Sequence, residues 1–188
     1  MDSQPTDQKN QSNQNIQKIA VIGNAGAGKT TLSRRLHEIY QIPLTHVDSI
    51  QFVAGMQIRP YKESIQMLNQ IQDQDSWIID GYGPLDILQP RLQKADRIVF
   101  IDFPIWRHYW WCTKRQIQNI WSRRQELPEE CNELTWQHTL KLFKTIHRVH
   151  KLMRPELLRI LQREQLKNKV VRISHLKEWN EVFQKGFN

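Results

Sequence analysis

Short apolar runs alternate along this chain with segments whose apolar residues recur every three or four positions. Ile19, Ala20, Val21 and Ile22 are continuously apolar and predict a fully buried strand from Lys18 to Gly23. Leu32, Leu36 and Ile39 then fall at helical spacing and predict a helix from Lys29 to Tyr40. "PLTHVD", Pro43 to Asp48, reads as a second strand that ends in a carboxylate. After a loop through Gly55, Pro60 stands at a first helical position, and Ile65, Leu68 and Ile71 mark the buried side of the helix it opens. Further strands are predicted over Trp77–Asp80, Arg97–Asp102 and Lys169–Ser174, with a terminal helix that includes Trp179 and Phe183. Five short apolar strands separated by helices imply an α/β fold with a parallel sheet covered on both faces.

Residues 105–167 break that rhythm. They are helical in pattern, rich in Trp, Arg and Lys, and too long for a plain crossover, so an exposed segment is expected around Arg123 to Asn132. Trp106 and Trp110 stand four apart on one helical face and read as core residues.

Composition narrows the class. At 188 residues, 39% hydrophobic and 24% charged, the chain suits one globular domain over 18–188, preceded by a polar Gln- and Asn-rich tail over 1–17 that reads as disordered. No apolar run is long enough to span a bilayer, and no basic-then-apolar leader pattern opens the chain, so a cytoplasmic location is expected. Cys112 and Cys131 form no metal-binding pattern. The net charge of +8 suits a nucleic-acid surface, a pocket for a polyanion such as ATP, or simply a solvated basic face.

The chemistry concentrates in "GNAGAGKTT". Gly23, Gly28, Lys29 and Thr30 match G-x-x-x-x-G-K-[ST] between a buried strand and a helix. Glycines let the backbone of Gly23, Asn24, Ala25, Gly26, Ala27 and Gly28 curl so that N–H groups converge on phosphate oxygens. The helix that starts at Lys29, Thr30 and Thr31 adds the positive end of its dipole. Lys29 would reach the β- and γ-phosphates of ATP, and the Thr30 hydroxyl would ligate Mg²⁺. Three predicted strands end in aspartate, at the sheet edge where ligands gather in parallel α/β folds. Asp80 is the candidate for holding Mg²⁺, Asp48 faces an acceptor, and Asp102 either assists the metal or terminates its strand. Each also reads as a plain cap or turn former. Arg59 and Arg91 are candidate clamps for an anionic acceptor.

"VIGNAGAGKTTLSRRL", "PLTHVDSIQF", "WIIDGYGPLDILQPRLQKADRIVFIDFPIWR" and "RPELLRIL" together resemble, in order, the adenylate-kinase-related P-loop proteins called DNA topology modulation proteins, over roughly residues 18–183. The resemblance implies a three-layer P-loop nucleoside triphosphate hydrolase fold, a five-stranded parallel sheet in the order 2-3-1-4-5, and a helical lid at about 115–135. It also implies ATP binding and phosphotransfer to a small molecule, nucleoside or nucleotide. Lid arginines stabilise charge on a transferring phosphoryl group, a role that falls here to Arg115, Arg123 and Arg124 beside Lys114. This chain departs from the pattern in carrying Trp110-Trp111 where relatives have a basic residue, with Arg107 upstream. Asp48 resembles the strand-two aspartate of kinases that phosphorylate hydroxyls, such as shikimate and gluconate kinases, and would act as base. The alternatives are a nucleic-acid-associated ATP-dependent protein, using Lys141, Lys144, Arg148, Lys151, Arg154, Arg159 and Arg163, and an ATP binder without turnover.

Overall fold

The computed structural model describes residues 16–53, 57–119 and 136–187. The order of elements is β1 (Lys18–Gly23), α1 (Lys29–Tyr40), β2 (Leu44–His46), α2 (Val47–Gln51), β3 (Phe52–Val53), β4 (Gln57–Ile58), α3 (Tyr61–Gln72), β5 (Trp77–Asp80), α4 (Leu85–Lys94), β6 (Arg97–Ile101) and α5 (Ile105–Asn119). After the undescribed stretch come α6 (Trp136–Arg148), a π-helical turn (Val149–Met153), α7 (Arg154–Leu161), α8 (Glu164–Lys167), β7 (Val170–Ile173) and α9 (Leu176–Lys185).

The main sheet runs β2-β5-β1-β6-β7, all parallel, which is the expected 2-3-1-4-5 order. β1 lies at its centre, with Val21 opposite Asp80 on one side and Gly23 opposite Ile101 on the other. The alternation of side chains sorts the strands into two cores. Ile19, Val21, Ile78, Val99 and Ile101 pack with Leu32 and Leu36 of α1 and Val182 of α9. Ala20, Ile22, Ile79, Ile98 and Phe100 pack instead with Leu68 of α3, Leu88 and Leu92 of α4, and Leu157 and Leu161 of α7. Strands buried on both faces need apolar residues at every position, which explains their unbroken Ile/Val runs. Each such side chain contributes about 1.5–3 kcal/mol on burial.

The structure departs from the sequence expectations at several points. β2 stops at His46, and Asp48 lies in the first turn of α2 rather than at a strand end. The Ser49 hydroxyl donates to the His46 carbonyl at 2.7 Å, which fixes the turn that begins there. Ile16 is already buried in the core, two residues before the expected start of the fold. Trp106 and Trp110 are 60% and 63% exposed, not core. α5 turns His108 and Cys112 to the phosphate loop and Tyr109 to Phe143 of α6, so Trp106 and Trp110 fall on the opposite arc. Arg107 stacks over Phe103 and Trp106, its guanidinium carbon 5.1 Å from each ring. The segment from Arg123 to Asn132, with Cys131, and Gly55 lie outside the described residues.

Candidate active site

The loop between β1 and α1 takes its shape from two glycines. Gly26 has φ of 69° and Gly28 has φ of 77°, a left-handed conformation in which an L side chain is strained. Gly28 is also the N-cap of α1, and its carbonyl accepts the first helical bond from Leu32 at 3.1 Å. Asn24 is buried. Its Oδ1 accepts from the Ala25 N–H at 2.8 Å, and its Nδ2 donates to the Ile146 carbonyl at 2.8 Å. Ala27 is buried beneath the loop, while Thr31 is exposed in the first turn of α1. The Lys29 ammonium donates to the Asn24 carbonyl at 3.2 Å, so its charge is folded over the loop.

Next to this loop stands one buried carboxylate. Asp80 ends β5 and is 5% exposed. Its Oδ2 accepts from the Thr30 hydroxyl at 2.9 Å and lies 3.0 Å from His46 Nδ1. Its Oδ1 is buried with no partner among the described residues. A buried carboxylate oxygen without a donor is costly, and the group that relieves it most readily is a cation or a water on one. Thr30 and Asp80, one hydroxyl and one carboxylate, therefore fit Mg²⁺. That ion keeps most of its water and takes few protein ligands.

The residues expected on the acceptor side are arranged less uniformly. Asp48 is exposed, and its neighbour Val47 packs on Gly81 and Gly83 in the loop after Asp80. Arg59 donates from Nε to the Ile50 carbonyl at 2.8 Å and sits 3.8 Å from Glu63, leaving it partly open to solvent. Arg91, an expected acceptor clamp, is instead fully buried. Its Nη1 donates to the Gly81 and Tyr82 carbonyls at 2.8 and 3.1 Å, and burial lowers its pKa to about 10. It holds the loop after β5 from behind. Asp102 lies just past the end of β6, as a strand terminator would, and its carboxylate is held by arginines. Arg154 grips it bidentately, and Arg172 donates to it at 2.6 and 3.0 Å, so both carboxylate oxygens are engaged by guanidinium groups. It is an ion-pair anchor joining β6 to β7 and α7.

Neither a protein-family model nor a curated protein matches this chain. Solved structures do. Shikimate kinase from Acinetobacter baumannii, in complex with shikimate, superposes with a TM-score of 0.54 at 14% identity, over 93% of this chain and 93% of that one. Shikimate kinase from Aquifex aeolicus superposes with a TM-score of 0.47 at 16% identity, over 89% of this chain and 92% of that one. The fold is that of the shikimate kinases. It is a three-layer P-loop α/β fold, as its parallel sheet with helices on both faces requires.

On this fold the loop residues, Thr30, His46 and Asp80 come together at the carboxyl ends of β1, β2 and β5. Arg115 lies in α5 with its Nε buried and without a partner among the described residues, and Arg123 and Arg124 lie outside those residues. His46 was missed by sequence reasoning. Its signal is the strand position opposite Asp80, visible only once β2 is registered on β5. His108 was missed too. Its Nδ1 lies 3.0 Å from the Ala25 carbonyl and its Nε2 3.2 Å from that of Phe103, and burial lowers its pKa more than those two carbonyls raise it. Among the described residues no helix is long and apolar enough to cross a membrane.

Proposed function

We propose that this protein is an ATP-dependent phosphotransferase whose acceptor is a hydroxyl group of a small molecule. The observation that carries this reading is the junction of Thr30, His46 and Asp80 beside the glycine loop, with Asp80 Oδ1 buried and unpartnered. In this reading the loop N–H groups and Lys29 bind the ATP phosphates, and Thr30 with Asp80 holds Mg²⁺, which neutralises charge on the phosphates when bound. The acceptor hydroxyl oxygen bonds to the γ-phosphorus as the bridging oxygen–phosphorus bond to ADP breaks. The hydroxyl proton passes to the Asp48 carboxylate. Arg115 of α5, with the lid residues Arg123 and Arg124, would balance charge on the equatorial oxygens and exclude water.

The acceptor side favours a hydroxyl over a nucleoside monophosphate. A phosphate acceptor calls for convergent arginine clamps. Arg91 is committed to backbone carbonyls, which leaves Arg59 as the cation open toward that side among the predicted pair. An exposed carboxylate at Asp48 suits a group that must lose a proton. The nucleic-acid reading weakens for a related reason, because Arg154 is bound to Asp102 and Arg159 to Glu156. Membership of the DNA topology modulation proteins belongs to the same proposal, supported by the ordered motifs of the sequence, and so does a cytoplasmic location.

The test is ADP release from Mg·ATP with and without panels of polyols and hydroxy acids, nucleosides, and nucleoside monophosphates, with Lys29→Ala as the blank. Stimulation by a hydroxyl compound is the expected result. Stimulation by nucleoside monophosphates alone would refute the hydroxyl assignment, and a flat panel would refute transfer.

A further inference from the structure

The first half of the phosphate loop is attached to helices remote from it in sequence. Asn24 reaches across 122 positions to the Ile146 carbonyl on α6, at 2.8 Å and fully out of solvent. Ala25 offers its carbonyl to His108 on α5, 83 positions away. Directly after these two contacts Gly26 lies flush against α5, where a Cβ on it would stand 2.7 Å from Cys112 Sγ and 2.8 Å from the His108 carbonyl. Three consecutive loop residues thus touch the α5–α6 pair, and α5 and α6 pack on each other through Tyr109 and Phe143. The α6 end of this attachment lies just ahead of the π-helical turn Val149–Met153. Such turns break the regular helical ladder and recur at functional sites.

We propose that Asn24 and His108 are positioning residues that clamp the phosphate loop to α5 and α6, so that nucleotide binding at the loop and the ordering of those helices are one coupled equilibrium. The inference rests on the reading that this loop binds nucleotide phosphates, and it is independent of whether transfer follows. The Asn24 amide is suited to the task because both its functions are used: Oδ1 fixes the local turn through the Ala25 N–H, and Nδ2 fixes the loop to α6. The clamp from α5 is as short-ranged. His108 is buried, and its two ring nitrogens face the Ala25 and Phe103 carbonyls at 3.0 and 3.2 Å, tying α5 to the loop. Coupling of this kind is reciprocal. Loosening the clamp weakens nucleotide binding, and bound nucleotide protects the helices.

The experiment uses the full chain, with Mg·ADP as the probe. Affinity is measured by calorimetry, and amide hydrogen exchange is followed in peptides from α5 and α6. Wild type is expected to bind ADP and to slow exchange in both helices. Asn24→Ala removes both bonds and is expected to weaken binding about tenfold and to abolish the ADP-dependent protection of α6. Asn24→Ser keeps an acceptor for the Ala25 N–H but is too short to reach Ile146. It is expected to weaken binding by about threefold, less than Asn24→Ala, while losing protection in α6. His108→Gln tests the α5 side and is expected to reduce the protection of α5. Unchanged α6 protection in a nucleotide-bound Asn24→Ser would overturn the proposal. Failure of folded wild type to bind ADP would overturn the nucleotide reading, and the clamp with it. Binding without phosphoryl transfer would refute only the transferase reading.

Discussion

The two left-handed glycines of the phosphate loop differ in what surrounds them, and that difference is measurable. At Gly28 a new Cβ would meet the Trp179 indole nitrogen at 3.4 Å, an ordinary contact. Gly28→Ala should therefore lose only the backbone strain of an L residue at φ of 77°, about 1–2 kcal/mol. At Gly26 the strain is similar, but the Cβ would stand 2.7 Å from Cys112 Sγ and 2.8 Å from the His108 carbonyl. Neither neighbour yields easily. The carbonyl belongs to the α5 backbone, and Cys112 is buried beneath the loop. Overpacking of this kind adds about 1–3 kcal/mol, so Gly26→Ala should cost about 2–5 kcal/mol in all. Urea denaturation of the two variants beside wild type, with m-values compared, measures the gap directly. Cys112→Ala in the Gly26→Ala background should recover part of the loss, since the His108 carbonyl still obstructs. If the two glycine variants were equally stable, or Gly28→Ala the weaker of the two, the close packing of α5 on the loop would be refuted.

Asp48→Asn should lower acceptor-dependent turnover by about 10²–10⁴-fold while leaving ADP affinity within about threefold; comparable losses in both would show that Asp48 serves the nucleotide instead. Asp102→Asn should destabilise the fold by about 2 kcal/mol, since the carboxylate is buried but its arginine partners are a third to a half exposed. It should leave the Mg²⁺ concentration dependence of turnover unchanged, and a shifted dependence would restore Asp102 as a metal residue. His108 has a lowered pKa in the folded state because it is buried, with Lys29 of α1 and His150 of the π-turn adding repulsion. The unfolded chain therefore takes up a proton first, so His108 favours stability above about pH 6.5 and loses that contribution as pH falls toward its folded value. Thermal melts from pH 7 to 5 should show a shallower slope in His108→Gln, and an unaltered slope would count against that assignment.

Local chemistry made much of this protein legible before any tertiary contact was known. The unbroken Ile/Val run of β1 could satisfy its surroundings only inside a doubly covered sheet. The Gly-rich turn could hardly be anything but a curled loop at a helix N-terminus, so β1, α1 and the loop between them follow from the order of residues alone. What the chain could not reveal locally was which partner each polar group would find. Asp48, Asp80 and Asp102 look alike as aspartates near strand ends. Yet β2 ended early and left Asp48 exposed, Asp80 met Thr30 and His46, and Asp102 was taken by Arg154 and Arg172 from α7 and β7. The helical periodicity of α5 located its faces but not their neighbours. Trp106 and Trp110 were read as core because they are large and apolar, whereas the loop and α6 claimed His108, Cys112 and Tyr109 instead. Arg91 illustrates the same limit, since a guanidinium in a sequence looks available for substrate until two backbone carbonyls enclose it. Secondary structure follows from periodicity and backbone sterics, which act within a few residues. The assignment of charges and hydrogen bonds depends on contacts 9 to 122 positions apart, and only the packed fold decides those.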